Sequence, residues 1–246
     1  MIRSFLTCCC VLLLLTSCED RQSSQKNEVE KTSEEKQKKE ELQSQPQEEK
    51  KKKSSSKRKQ RPEGPLIVQK EFIPFMTEYG RNNPEDKVRI KTRFGNIDLE
   101  LFHDTPLHRA NFIFLVKHDY FDDTFFHRVA KNFVVQGGNS DTPETNKKRH
   151  YIGDYLIPSE FEAGHRHVRG ALGAAKYSQQ NRTKASSPYE FYIVQSDRGA
   201  HHLDNEHTVF GRVIDGMEVV DSIAKVKTDQ SDWPLRNIYL DLEIIE

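Results

Sequence analysis

After a short opening segment, the first quarter of the chain is nearly devoid of apolar residues, and from there to the end they recur with two distinct periods. Residues 87–92 alternate, with Val88 and Ile90 on one face and Arg89 and Lys91 on the other. Residues 96–101 repeat the pattern with Ile97, Leu99 and Leu101, and the intervening Arg93, Phe94 and Gly95 predict a hairpin connection. Asp104 or Thr105 then offers a helix cap with Pro106 at the first helical position. Leu107, Ala110, Phe114 and Leu115 form the apolar stripe of that helix. Further strands are predicted over 125–129, 132–136, 171–176, 190–194, 208–213 and 238–244, the last alternating Ile238, Leu240, Leu242 and Ile244. A second helix over 217–226 would bury Met217, Val220 and Ile223. Many short strands with two separated helices fit a mostly β fold, an antiparallel barrel capped by two α-helices.

The polar quarter divides in two. Residues 1–18 have a basic start at Arg3 and a mostly apolar run through Leu15, too short to span a bilayer as a helix of about twenty residues. They fit a secretory signal sequence. Residues 19–65 are Lys, Glu, Gln and Ser, with Val29 and Leu42 the only sizeable apolar side chains. Nothing there offsets the entropy of ordering the chain, so a disordered charged tether is expected. As a coil its ~45 residues would span roughly 35–40 Å, stretched further by charge repulsion. Lys50 to Lys53, Lys57, Arg58, Lys59 and Arg61 form a basic run that a phosphate-rich surface could attract, although such runs are mostly just solvated. Residues 66–86 are read as an N-terminal extension and 87–246 as the folded domain.

The balance of 38 basic and 38 acidic residues gives a formal net charge of zero, so no whole-chain argument favours nucleic acid. The four cysteines are Cys8, Cys9, Cys10 and Cys18, which leaves the domain without a disulfide or a thiol nucleophile.

Two neighbouring segments carry the chemistry. Phe126-His127-Arg128-Val129 is followed after three residues by Phe133-Val134-Val135-Gln136-Gly137-Gly138. An arginine strand thus meets, through one short turn, a strand bearing an aromatic, an aliphatic and a glutamine. The pattern closely resembles the active-site signature of the cyclophilin family of peptidyl-prolyl cis/trans isomerases. The likeness runs from about Val88 to Glu246, through Thr105 to Phe112, Tyr120 to Thr124, Gly170 to Ala175, Glu190 to Ile193 and Leu203 to Gly211 in the family's order. Likewise Leu15-Thr16-Ser17-Cys18 resembles the lipobox of bacterial lipoproteins.

The resemblance implies the barrel with its helical caps, an isomerase activity without cofactor or metal, and proline-containing extended polypeptides as substrates. It implies Arg128 as the catalytic hydrogen-bond donor and Gln136 as the residue that orients it and contacts the substrate backbone. Phe133, Val134, Tyr192, Leu203 and His207 would line a proline pocket, while Ala175 and Lys176 would meet the preceding residues, largely through their backbone. Three positions depart from the family pattern. His202 stands where many members have a tryptophan important for binding cyclosporin. Tyr192 adds a hydroxyl that needs a partner. Glu190 replaces a glutamine and is expected to bring a negative charge near Arg128. The lipobox likeness implies acylation of Cys18, membrane attachment in the bacterial cell envelope, in the outer membrane with its leaflet left open, and folding of exported proteins as the task. A monomer is expected, with no specific nucleic-acid partner.

Two other classes remain. The same groove could hold extended chains without catalysis, as a membrane-anchored chaperone or proline-binding module. His165, His167, His201, His202 and His207 raise a metal site, but no recognisable ligand spacing completes it.

Overall fold

The computed structural model describes residues 66–177 and 181–246. The chain divides into two units, Met1–Lys57 and Arg58–Glu246, and all described residues lie in the second. The signal sequence, Cys18, the tether and its basic run therefore fall outside the described residues. Among the described residues no helix is long and apolar enough to cross a membrane.

The elements run in chain order as β1 (Ile67–Val68), α1 (Phe72–Asn82), β2 (Lys87–Thr92), β3 (Gly95–Leu101), α2 (Pro106–Lys117), β4 (Arg128–Ala130), β5 (Val134–Gly137), α3 (Pro143–Ile152), β6 (Gly153–Asp154), β7 (Ala171–Ala174), β8 (Phe191–Val194), β9 (Val209–Asp215), α4 (Met217–Ile223) and β10 (Asp241–Ile244). Eight strands form one antiparallel sheet in the order β10-β2-β3-β9-β7-β8-β5-β4. Its ends meet through an antiparallel bridge between Phe125 and Tyr239, supported by Phe126 N–H on Ile238 O and Leu240 N–H on Thr124 O. This contact curls the sheet into a barrel and leaves the β4 edge covered rather than open to other chains.

The period-two pattern buries the side chains it predicts. Val88, Ile90, Ile97, Leu99, Leu101, Ile238, Leu240 and Leu242 enter the main core with the apolar residues of α2 and α4. The predicted strand over 238–244 shortens to β10, with Ile238 and Leu240 buried ahead of it.

The expected pair of helices becomes four among the described residues. α1 lies within the stretch read as a mere extension, and its Phe72 and Met76, with Ile67 of β1, are buried in the same core. Pro74 in its first turn and Gly80 near its end obscured it in the sequence, although both are tolerated where they stand. The buried Arg109 of α2 locks α1 in place by donating to the carbonyls of Gly80, Asn83 and Glu85. α3 gave no periodic signal because only Thr145 and Ile152 of its ten residues are buried.

The cap of α2 also differs from expectation. Thr105 is the N-cap but its hydroxyl donates to Phe102 O, and Glu160 accepts the N–H groups of Leu107 and His108 instead. Glu160 and Ser186 hold the two ring nitrogens of His108 at 2.6 and 2.9 Å. The set has the composition of a hydrolase triad, yet Ser186 and His108 are buried and the array serves the helix end.

Candidate active site

Register builds the site. Arg128 lies opposite Gln136, Gln136 opposite Tyr192, and Tyr192 opposite Gly173, so one transverse row crosses β4, β5, β8 and β7. Residues directly opposed across a ladder share a face. The neighbouring row, Val129, Val135, Ile193 and Leu172, points the other way into the main core. The Arg128 face instead carries a second, smaller apolar cluster: Val134, Ala171, Ala175, Tyr192, Val194, Ala200 and Val209, with Phe102, Phe133 and Leu203 packed against it. Seven short segments thus yield an apolar patch beside two polar side chains, Arg128 and Gln136.

Gly173 is part of that design. A Cβ there would come within 2.4 Å of the Tyr192 ring, so the missing side chain is what lets the tyrosine lie across the strand. The Tyr192 hydroxyl finds its partner in the buried His167, whose Nε2 lies 2.8 Å away. His167 Nδ1 and backbone N–H both face Asp204 Oδ1, at 2.9 and 2.8 Å. A carboxylate only accepts, so Nδ1 carries the imidazole proton and Nε2 accepts from the tyrosine. Burial lowers the His167 pKa against the opposing pull of Asp204, which keeps the ring neutral. Burial raises the Asp204 carboxyl, but His167, Arg166 and His201 outweigh that and hold it well below its ordinary value.

The other predicted residues gather at the rim. Phe133 is half-buried, with the Arg128 guanidinium 5.7 Å from its ring centroid and the exposed His202 stacked on it at 5.3 Å. Leu203 ends the short turn His201–Leu203, and its carbonyl accepts from His207 N–H. His207 Nδ1 lies 3.1 Å from Ala174 O and its ring stands edge-on to Tyr192. Its pKa is lowered, chiefly by burial.

Three expectations need correction. Glu190 does not face Arg128 as an ion pair: its Oε2 accepts from Gln136 Nε2 at 3.0 Å and lies 3.5 Å from His127 Nε2, while its Oε1 meets Arg149 Nη2 at 3.3 Å. Arg128 is oriented not by Gln136 but by Asp232, whose Oδ2 takes its Nη2 at 3.1 Å. Ala175 spends its backbone within the fold, donating to Glu190 O and accepting from Ser187 N, so it offers the groove a methyl group only. Lys176 keeps its side chain near Glu206 Oε2 at 3.5 Å.

Asp232, Arg149, His127 and His167 were absent from the sequence-based site. Asp232 sits in a tight loop in which Asp229 Oδ1 accepts the N–H groups of Ser231 and Trp233. The loop is pinned to β4 by Val129 N–H on Asp232 O. The cluster of Asp, Ser and Pro marks a turn, but nothing local links it to Arg128, 104 residues away. Arg149 comes from the unforeseen α3. Of the suspected metal ligands, His165 pairs with Asp104, and both His167 and His201 with Asp204. Among the described residues no group of three His, Cys, Asp or Glu is arranged to hold a metal.

The fold and this row define the class. The chain belongs to the cyclophilin-type peptidyl-prolyl cis-trans isomerase family, whose model matches residues 87–242. It is 38% identical over 145 residues to a peptidyl-prolyl cis-trans isomerase of Acinetobacter baylyi, covering 57% of this chain and 73% of that protein. It is 37% identical over 175 residues to peptidyl-prolyl cis-trans isomerase-like 2 of Rhizopus delemar, covering 70% of this chain but only 30% of that larger protein. Among solved structures, a cyclophilin-type isomerase of Cryptosporidium parvum studied in the presence of the dipeptide Ala-Pro matches with a TM-score of 0.55 and 29% identity, over 65% of this chain and 99% of that one.

Proposed function

We propose that this protein is a working peptidyl-prolyl cis/trans isomerase. The observation that carries the reading is the transverse row in which Arg128 and Gln136 border the apolar patch floored by Val134 and Tyr192. Rotation about a peptide bond faces a barrier of about 18–20 kcal/mol because the nitrogen lone pair is delocalised. As the X-Pro bond twists, the prolyl nitrogen becomes pyramidal and a better acceptor. A fixed donor then binds the twisted state more strongly than either planar isomer, which is the requirement for catalysis. The guanidinium of Arg128 presents several donors in one plane. Asp232 occupies Nη2, leaving the rest of the fork for substrate. Phe133, Val134, Tyr192, Leu203 and His207 grip the proline ring, Ala175 and Lys176 meet the preceding residues, and Gln136 contacts the substrate backbone.

No covalent bond breaks, so the reaction calls for no nucleophile, metal or nucleotide. An acceleration on the order of 10⁵-fold corresponds to about 7 kcal/mol of barrier. The Ala-Pro dipeptide named for the Cryptosporidium relative supports proline-containing peptides as substrates here.

The finer reading rests on the sequence of residues 1–65. Acylation of Cys18 would fix the protein to the envelope of a bacterial cell, with the tether holding the domain off the membrane and newly exported proteins as clients. Durable attachment needs more than one acyl chain, each buried methylene adding about 0.8 kcal/mol. Replacing Cys18 by Ala should release the protein from the membrane fraction; full retention would contradict the anchor.

The activity is tested by refolding a protein whose slow phase is X-Pro isomerisation. Wild type should accelerate that phase catalytically, and Arg128→Ala with unchanged circular dichroism should not. Equal acceleration by both would remove Arg128 from the mechanism; slowing by both would favour a holding chaperone.

A further inference from the structure

The face behind Gln136 holds a charge cluster that the isomerase reading does not use. Glu190 is mostly buried, its side chain 14% exposed, and it is surrounded by Arg149, His127 and Gln136. Arg149 reaches it from α3 and is itself fixed: its Nε donates to Tyr120 Oη at 2.9 Å, and its guanidinium lies 5.1 Å from the Tyr189 ring centroid. Tyr120 in turn donates to Gly138 O, at the exit of β5. Gly138 has φ +92°, and a Cβ there would stand 2.2 Å from Tyr189 O. The strand end bearing Gln136 is therefore pressed against the backbone just before Glu190 by a residue that only glycine can replace. Burial raises the Glu190 carboxyl, yet His127, Arg149 and Gln136 outweigh it and keep the pKa below its ordinary value.

A carboxylate has no proton to donate. The Gln136 group facing Glu190 must then be its NH₂, and its Oε1 is turned away from the cluster. A glutamine in place of Glu190, which both donates and accepts, would pair with either end of the amide. We infer that Arg149 and Glu190 are positioning residues that fix the Gln136 amide so that it presents a hydrogen-bond acceptor to the substrate, and hence recognises a backbone N–H beside the proline. This rests on the isomerase reading and adds to it the polarity of one substrate contact. Glu190 acts through Gln136, and Arg149 acts by holding Glu190 charged and aimed.

The test uses the full chain and a set of proline peptides in which each backbone N–H flanking the X-Pro unit is replaced in turn by an ester oxygen. Binding is followed by calorimetry and turnover by NMR exchange, for wild type, Glu190→Gln, Arg149→Ala and Arg149→Lys. In wild type, one ester substitution should weaken binding roughly fivefold, the scale of one hydrogen bond. In Glu190→Gln and Arg149→Ala the penalty at that position should shrink towards unity, and Arg149→Lys should restore part of it. A merely structural role would alter affinity for all peptides alike and leave the ester penalty untouched. The inference is overturned by equal penalties in wild type and Glu190→Gln, or by no position in wild type sensing the ester. If Glu190→Gln does not fold, the Arg149 variants decide in the same way. Failure of the isomerase reading looks different, because the parent peptide then shows no catalysed exchange with wild type.

Discussion

Two carboxylates attend the two polar side chains of the groove, and their settings differ. Asp232 meets Arg128 near the surface, with both side chains about 40% exposed, at 41% and 38%. Glu190 meets Gln136 in a mostly buried cluster where Arg149 supplies positive charge and His127 Nε2 lies 3.5 Å away. The surface pair gains little free energy, since water and salt screen it. The buried set forms strong contacts, but any partner removed leaves a charge without compensation. One groove therefore pairs a half-exposed guanidinium, aimed by a carboxylate that water screens, with an amide held in a buried cluster.

The largest expected effect falls on the buried side. Arg149→Ala strands the Glu190 carboxylate and removes the donor to Tyr120, and should cost on the order of 3 kcal/mol in urea unfolding. A loss within error would mean that water replaces Arg149 and the cluster is not a rigid unit.

Acid should act in two windows. His167 and His207 have lowered pKa values, so the unfolded chain takes up protons near 6.5 that the folded chain refuses. Stability from these groups is full above pH 6.5 and is lost as pH falls through their folded values. Glu190, Asp98, Asp204 and Asp221 are lowered too, and their contribution is lost at lower pH, below the unfolded carboxylate values of about 4. Unfolding measured from pH 7.5 to 3 should fall in both windows. His167→Gln should shrink the first, leaving the share of His207, and Glu190→Gln should shrink only the second; the reverse assignment would overturn the protonation states derived above.

The fold was legible wherever burial imposes a period. Strands β2, β3 and β10 announce themselves because one face is apolar and the other is not, whereas α2 shows through Pro106 at its start and its apolar content, since residues 108–116 are buried on every side. Helix α3 is silent because only its Thr145 and Ile152 are buried, and α1 is masked by Pro74 and Gly80. The site was legible where it is local: Arg128 and Gln136 are neighbours across one turn. Asp232 meets Arg128 across 104 residues and Arg149 meets Glu190 across 41, and no spacing rule reaches either. Glu190 was placed on the correct side of its strand, yet its partner came from an element the sequence hid.

The smallest stability effect belongs to the exposed pair. Asp232→Ala should change unfolding by less than about 1 kcal/mol. Its mark should be kinetic: turnover of the variant and of wild type should converge as salt is raised, because screening weakens the Asp232–Arg128 contact in the parent. A large loss of stability on this substitution would erase the contrast between the two carboxylates.

Two-dimensional exchange NMR on a proline peptide at saturating protein tests the central claim most directly, because it reads binding and rotation separately. Wild type should give exchange cross-peaks between the cis and trans forms, while Arg128→Ala should still shift the peptide resonances but lose those cross-peaks. Undiminished exchange with Arg128→Ala would contradict the assignment of the donor, and binding without exchange in wild type would contradict the isomerase itself.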